Sequence, residues 1–407
     1  MKLKNLKSKH YIIAIAVFLI LIIAIYFLFF QPQHTIILYI EGIEAEELVK
    51  YSDQELPNLK NLFSTQLKTQ VPLNNPSSFQ TLFSGKYIYQ PWYLKNSADY
   101  CVQKENDFSG IFKTTVLNEY LKNKKQKVYF FNNLDWQTEK KIHQRNFSAL
   151  DIIQKAEDNF KEQKNIFLKH LEDKQENWLI AGFNFPALVA QVSDNEQDIL
   201  RVYRAIDDLI AQVQNLMKRN TNLYLISPFG LVPVKESVDI NQALIYRGFL
   251  KAEQEPEENF SLNNCDLSDS YVYSPRAGEI FVNQVSREAQ GKVSDEFEAV
   301  IEDTAYVLNF IERGEELIST QLYLSRDYFK SKEVGELLIA MPSGYNIFWP
   351  ENNCSISKDL VQKTNLIQDH LNIQPNLISG LILANKEFVQ DNYDYLDVLD
   401  LVLRSKK

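Results

Sequence analysis

Five short runs of uninterrupted apolar residues constrain this chain more than any other feature. They are TIILYI (35–40), KVYFF (127–131), WLIAGF (178–183), LYLIS (223–227) and SGLILA (379–384). A strand with one wet face alternates apolar and polar side chains, and these runs do not alternate. They therefore read as strands buried on both faces, the signature of a mostly parallel sheet between two layers of helix. Helical stretches lie between them. The clearest covers 196–219, where Ile199, Tyr203, Ile206, Ile210, Val213 and Leu216 recur at the spacing of one apolar helix face. The order strand, helix, strand, helix predicts an α/β layered fold.

Residues 250–345 break this rhythm. EQEPEENFSLNNCDLSDS is polar and turn-rich, YVYSPRAGEIFVNQV reads as strand, turn, strand, and EFEAVIEDTAYVLNFI as an amphipathic helix. This segment is expected to form an inserted α+β lobe. At the other end of the chain, residues 11–30 (YIIAIAVFLILIIAIYFLFF) carry no charge, and twenty helical residues rise about 30 Å, enough to span the hydrocarbon core of a bilayer. Lys2, Lys4, Lys7 and Lys9 precede the run with no acidic residue among them, which predicts one transmembrane helix with a cytoplasmic basic tail, 1–10. Residues 31–407 are then extracytoplasmic, and the domain sits close to the bilayer. A cleaved signal peptide would have a shorter apolar core and a small-residue cleavage site, whereas FFQPQHT follows here.

Setting aside the four lysines of the tail, 39 of the 43 basic residues remain against 53 acidic ones, a formal charge of −14 beyond the membrane. That balance excludes a nucleic-acid-binding domain and argues against capture of anionic lipid by the surface as a whole, while leaving room for a local basic pocket. Cys101, Cys265 and Cys354 have no metal-knuckle or redox spacing. A Cys265–Cys354 bridge and three unpaired thiols are both compatible with the sequence.

Ligand sites in open α/β sheets lie at the carboxyl ends of strands, which singles out Glu41-Gly42 after the first run. Thirty residues on, PLNNPSSFQTLFSGKY carries a small-polar turn leading into a short helix that closes at Gly85, with exposed amides suited to an anion or a nucleophile. The segments ILYIEGIEAEELV, LPNLKNLF and PLNNPSSFQTLFSG, in that order, resemble the type I phosphodiesterase and nucleotide pyrophosphatase branch of the alkaline phosphatase superfamily. INQALIYRGFL, GEIFVNQVSREAQGKV, ELLIAMPSGY, DHLNIQPNLISGLILAN and DYLDVLDLVL continue the resemblance over residues 35–404. The chain has only 12 glycines, and Gly42, Gly85, Gly230, Gly248, Gly291, Gly344 and Gly380 fall where family turns are expected.

The resemblance implies a mechanism in which two divalent metals, usually zinc, are held by three Asp and three His and activate a Thr or Ser nucleophile. Position by position, this sequence departs from that pattern. The first Asp is Glu41, still able to coordinate a metal. The nucleophile position is Asn75, whose amide is no nucleophile, and only Ser77 or Ser78 in the same turn offers a substitute. Asn184 and Leu188 stand where an Asp and a His follow the strand WLIAGF. Pro228 and Phe229 stand where Asp-His follows LYLIS, inside the retained frame Ser227 to Gly230. Leu, Pro and Phe do not bind zinc. Of five histidines, His10 and His34 flank the span, His143 and His170 lie in charged helical stretches, and His370, beside Asp369, occupies the late ligand position.

The expectation is thus an alkaline phosphatase-like domain behind one membrane helix, in an inner or plasma membrane, that has lost its chemistry and acts as a binding or scaffolding pseudoenzyme of the cell envelope. No cofactor is expected, and Glu41, Asp369 and His370 are the weak metal candidates. In that reading Glu41 is a carboxylate satisfied by backbone amides, His370 a hydrogen-bonded histidine, and Ser77 and Ser78 are turn and N-cap residues. The alternative is a divergent metal-dependent phosphodiesterase or phosphatase using Glu41, Asp369, His370 and a serine of the turn, with zinc or another divalent metal. Expected partners are the membrane and an envelope protein, with a phosphate-bearing or glycan ligand as a third reading. Tyr87, Tyr89, Trp92 and Tyr93 are candidates to line an interaction surface or the old cleft.

Overall fold

The computed structural model describes residues 34–71, 74–89, 93–95, 103–105, 111–135, 138–139, 142, 148–173, 176–218, 220–253, 260–276, 278–283, 295–313, 316–330, 334–348, 356–370, 373–377 and 379–404. The expected span 11–30, Cys101, Cys354, His143, Trp92 and Gly291 lie outside them. Among the described residues no helix is long and apolar enough to cross a membrane.

All five apolar runs enter one sheet. Its seven described strands are β1 (His34–Ile40), β2 (Phe63–Lys68), β5 (Val128–Asn133), β6 (Trp178–Phe183), β7 (Thr221–Ser227), β18 (Gly380–Ala384) and β19 (Asn392–Asp394), in the order β19-β2-β18-β7-β1-β6-β5. β1 pairs in parallel with both β6 and β7, and β5 with β6. β18 runs antiparallel to β7 and β2, so the sheet is mostly but not wholly parallel. Around its central strands β1, β6, β7 and β18 both faces are dry. Ile36, Leu38 and Ile40 of β1 point into a core beneath the helices α5 (Ala149–Asp173) and α7 (Glu196–Leu216). Ile37 and Tyr39, alternating with them, point into the opposite core with α3 (Asn75–Leu82), α4 (Val116–Asn123) and α10 (Val398–Arg404). The continuous apolar sequence of β1 follows from this double burial.

The remaining helices of the main body are short: α1 (Ala45–Lys50), α2 (Pro57–Lys60) and α6 (Phe185–Ala190). A hairpin of β3 (Tyr93–Lys95) and β4 (Gln103–Glu105) stands apart. After β7 the chain builds a third core. It contains β8 (Val232–Val238) flanked by β15 (Gly344–Ile347) and β16 (Val361–Lys363), with β17 (Gln368–Asp369) also on β8. It also contains α8 (Ile240–Tyr246) and a four-stranded sheet of β9 (Val272–Arg276), β10 (Glu279–Val282), β13 (Gln321–Leu324) and β14 (Leu337–Ala340). The helix α9 (Asp295–Leu308) and the hairpin of β11 (Phe310–Arg313) and β12 (Glu316–Ser319) complete it. Buried residues from Phe229 to Ile373 share this core, so its packing extends beyond 250–345 on both sides.

One expectation changes in this region. The amphipathic helix read through Ile311 stops at Leu308, because Phe310 and Ile311 pair with Ser319 and Ile318 as a strand. Of the two alternatives open for Cys265, the free thiol is found: it is buried, and burial pushes it up to about 12.

Gly42, directly after β1, has a φ of +83°, and a Cβ there would lie 2.6 Å from the backbone N of Ala187. Glycine is required on both counts. Gly42→Ala should therefore cost roughly 2–4 kcal/mol, read as a lowered unfolding midpoint in denaturant.

Candidate functional site

Because β1, β6 and β7 are parallel neighbours, the residues that follow them emerge at one edge of the sheet. Glu41 is fully buried there. Its backbone N–H donates to the Phe183 carbonyl at 3.0 Å and its own carbonyl accepts the Ala187 N–H at 3.1 Å. The Ile43 N–H donates to Ser227 Oγ at 3.0 Å, tying the β1 exit to the end of β7. Asn184, after β6, is also buried, and its Oδ1 accepts the Asp135 N–H at 3.0 Å.

The turn expected to carry a nucleophile reaches the same edge. Asn74, not a serine, caps α3: its Oδ1 accepts the Ser77 N–H at 2.9 Å. Ser77 and Ser78 stand inside the first turn and are completely buried, which corrects the N-cap role expected for them. A helix starting Asn-Asn-Pro-Ser is capped by whichever polar side chain precedes the proline-bearing first turn, and here that is Asn74. Asn75 is the first residue of α3; its side chain lies outside what the structure describes.

Leu188 joins the apolar core under α5 and α7. Pro228 and Phe229 turn the chain from β7 to β8. The Pro228 carbonyl accepts the hydroxyl of buried Tyr395, and a Cβ on Gly380 would fall 2.3 Å from that carbonyl oxygen. Phe229 lies flat on the imidazole of His370, with ring centroids 3.7 Å apart and planes 5° from parallel. His370 Nε2 is 3.6 Å from Oε1 of Glu139, and both side chains are sealed from solvent. On the other side, His370 Nδ1 is 4.0 Å from Asp369 Oδ1, which also accepts the His370 backbone N–H at 2.7 Å. Asp369 Oδ2 accepts an Asn346 amide hydrogen at 3.2 Å.

Glu139 escaped the sequence reading. It follows a turn in which Asp135 Oδ1 accepts the Thr138 N–H at 3.0 Å, within a polar stretch that resembles many surface loops. No spacing or periodicity distinguishes it. Its charge reaches further than His370: burial, then the charge of Glu41, and to a lesser degree Glu139, hold the Tyr39 hydroxyl well above the ordinary phenol range. Tyr39, Glu41, Glu139, Asp369 and His370 thus form a buried polar cluster capped by Phe229.

Leu188, Pro228 and Phe229 present no ligand atom, and Phe229 covers one face of the His370 ring. Among the described residues no group of three or more His, Cys, Asp or Glu is placed to hold a metal ion. What the arrangement provides is a close buried approach of the His370 imidazole to the Glu139 carboxyl, and hydrogen bonds joining segments distant in sequence. Removing one partner from a buried polar contact leaves the desolvation cost of the other in place. Glu139→Gln and His370→Gln should each destabilise the protein by roughly 1–3 kcal/mol, and the double variant should cost less than their sum in a double-mutant cycle of thermal unfolding.

A second carboxyl at this edge was also missed. Glu44 Oε1 accepts the Leu231 N–H at 2.9 Å, and its backbone N–H donates to Tyr203 Oη at 2.9 Å. Burial pushes Glu44 from 4.5 up to about 7, against a downward pull from the Leu231 amide. A folded-state pKa above the unfolded one means that its contribution to stability is full below 4.5 and is lost as pH rises through 7. The change is at most about 3 kcal/mol. Unfolding measured from pH 4.5 to 7.5 should show this decline in the wild type and a flatter profile in Glu44→Gln, with the part due to Asp239, pushed up to about 6 by burial, remaining.

No family model matches the chain, and no curated protein matches it in sequence. Solved structures do. Human ectonucleotide pyrophosphatase/phosphodiesterase 5 superposes with a TM-score of 0.55 at 12% identity, covering 92% of this chain and 95% of that one. The murine protein, and an inactive variant of it in complex with AMP, each superpose with a TM-score of 0.54 at 12% identity over the same shares. At that identity the likeness is one of fold: this chain has the alkaline phosphatase-like architecture of the nucleotide pyrophosphatase/phosphodiesterases.

Proposed function

We propose that this protein is a pseudoenzyme, a phosphodiesterase-like domain without metal-dependent hydrolysis, anchored by residues 11–30 in the inner or plasma membrane and working as a binding or scaffolding protein of the cell envelope. The observation that supports this most directly is the flat stacking of Phe229 on His370 at 3.7 Å, with Glu139 against the ring's Nε2. In this reading, side chains occupy the volume that metal and substrate would need. The divergent-hydrolase alternative relies on Glu41, Asp369, His370 and Ser77 or Ser78, and each of these is buried at this edge. Fold alone decides neither reading.

The purified full-length protein should contain no stoichiometric zinc or manganese by elemental analysis. It should not hydrolyse a generic aryl phosphodiester when either metal is added. Two metals per chain, with turnover abolished in Glu41→Gln, would establish the hydrolase instead. If the domain retains a receptor role, a phosphate-bearing or glycan ligand should raise its thermal midpoint.

A further inference from the structure

The edge of the sheet opposite the candidate site is lysine-rich, in a domain whose overall charge is strongly acidic. The N-terminal ends of the parallel strands meet there: His34 is opposite Thr221, and Thr35 and Val128 are both opposite Trp178. Lys122 in the last turn of α4, and Lys124, Lys125 and Lys127 on the turn between α4 and β5, are exposed, the turn held by the bond from the Asn177 N–H to the Lys127 carbonyl at 2.9 Å. Lys218 precedes β7 and places its Nζ 3.2 Å from His34 Nε2. Lys386 follows β18, next to Asn385, whose amide donates to the Thr221 carbonyl at 2.9 Å. From β18 to β5 this row spans four strand spacings, about 19 Å.

Among the described residues Lys122, Lys124, Lys125, Lys127 and Lys386 form no ion pair; Lys124 sits over the Tyr120 ring at 5.9 Å. The acidic groups of the same edge include Glu172 and Asp173 at the end of α5, Glu176, Glu387 and Asp391. Apolar side chains project beside the lysines: Val389 is 96% exposed and Phe63 at the start of β2 is 45% exposed.

The apolar run 11–30 ends just before this edge. Only residues 31–33 separate it from His34, a reach of at most about 14 Å. If the run spans a bilayer, this edge must face it, and the candidate site lies a full strand length further out. The basic turns are remote in sequence from the span, so they do not enter the charge count that sets its orientation. From the charge, the two exposed apolar side chains and the short tether, we propose that the Lys122–Lys127 turn, Lys218, Lys386 and Val389 dock the domain onto an anionic phospholipid surface, fixing its orientation on the membrane. This rests on the placement of residues 11–30 in a bilayer and is independent of whether the site hydrolyses anything.

The test is lysine acetylation footprinting of the full-length protein in nanodiscs of phosphatidylcholine alone or with added phosphatidylglycerol. Acetylation of Lys122, Lys124, Lys125, Lys127 and Lys386 should slow about fivefold in the anionic discs and recover in about 0.5 M NaCl. Lys251 and Lys358, in the third-core region, should be unchanged. The variant with Lys122, Lys124, Lys125 and Lys127 each changed to Glu, checked for native circular dichroism, should lose the protection of Lys386. Equal rates in both lipids would overturn the proposal. Protection that grows with protein concentration in lipid-free detergent would place a second copy on this face and overturn it as well.

Discussion

The rest of the structure depends on the double-sided burial of the three central strands. β1, β6 and β7 have no wet face, so each must be covered by helices on both sides, and parallel strands covered that way direct all their carboxyl ends to one edge and all their amino ends to the other. The candidate site and the lysine-rich edge are the two consequences. Neither set of residues is close in sequence; each is assembled by the sheet's register.

At the carboxyl edge, the backbone frame of a phosphodiesterase fold is kept by contacts that tolerate little change. Gly42 sits against Ala187, Gly380 against Pro228, and Ser227 accepts the amide of Ile43. Inside the frame, the side chains form a sealed cluster in which His370 meets both Phe229 and Glu139. Buried polar groups of this kind contribute when they are satisfied and are costly when one partner is removed, so the cluster has a structural role whatever else the domain does.

Much of this was legible in the sequence. The strand Trp178–Phe183 is found with the predicted bounds, and the helix Glu196–Leu216 ends three residues before the apolar periodicity suggested. The order of glycine-bearing turns pointed to the fold that solved structures share at 12% identity. Less legible were contacts between segments without pattern. Asn74 rather than Ser77 or Ser78 caps α3, because capping depends on where the helix begins, which shifts easily by a residue or two. Ile311 fell into a strand because a partner, Ile318, was available in space. Glu139 and Glu44 looked like ordinary surface carboxylates, and only folding buried Glu139 and half-buried Glu44.

The sequence by itself determined the layered α/β class, the apolar segment at 11–30, the acidic balance and the absence of ligand-bearing side chains at Leu188, Pro228 and Phe229, since each of these is a property of residue type and local order. Tertiary structure alone decided that His370 meets Glu139 and Phe229, that Glu44 is held near neutrality in its titration, and that lysines from three separate turns share the edge next to the apolar segment. Those are matters of register and burial, and they exist only once strands distant along the chain lie 4.8 Å or so apart.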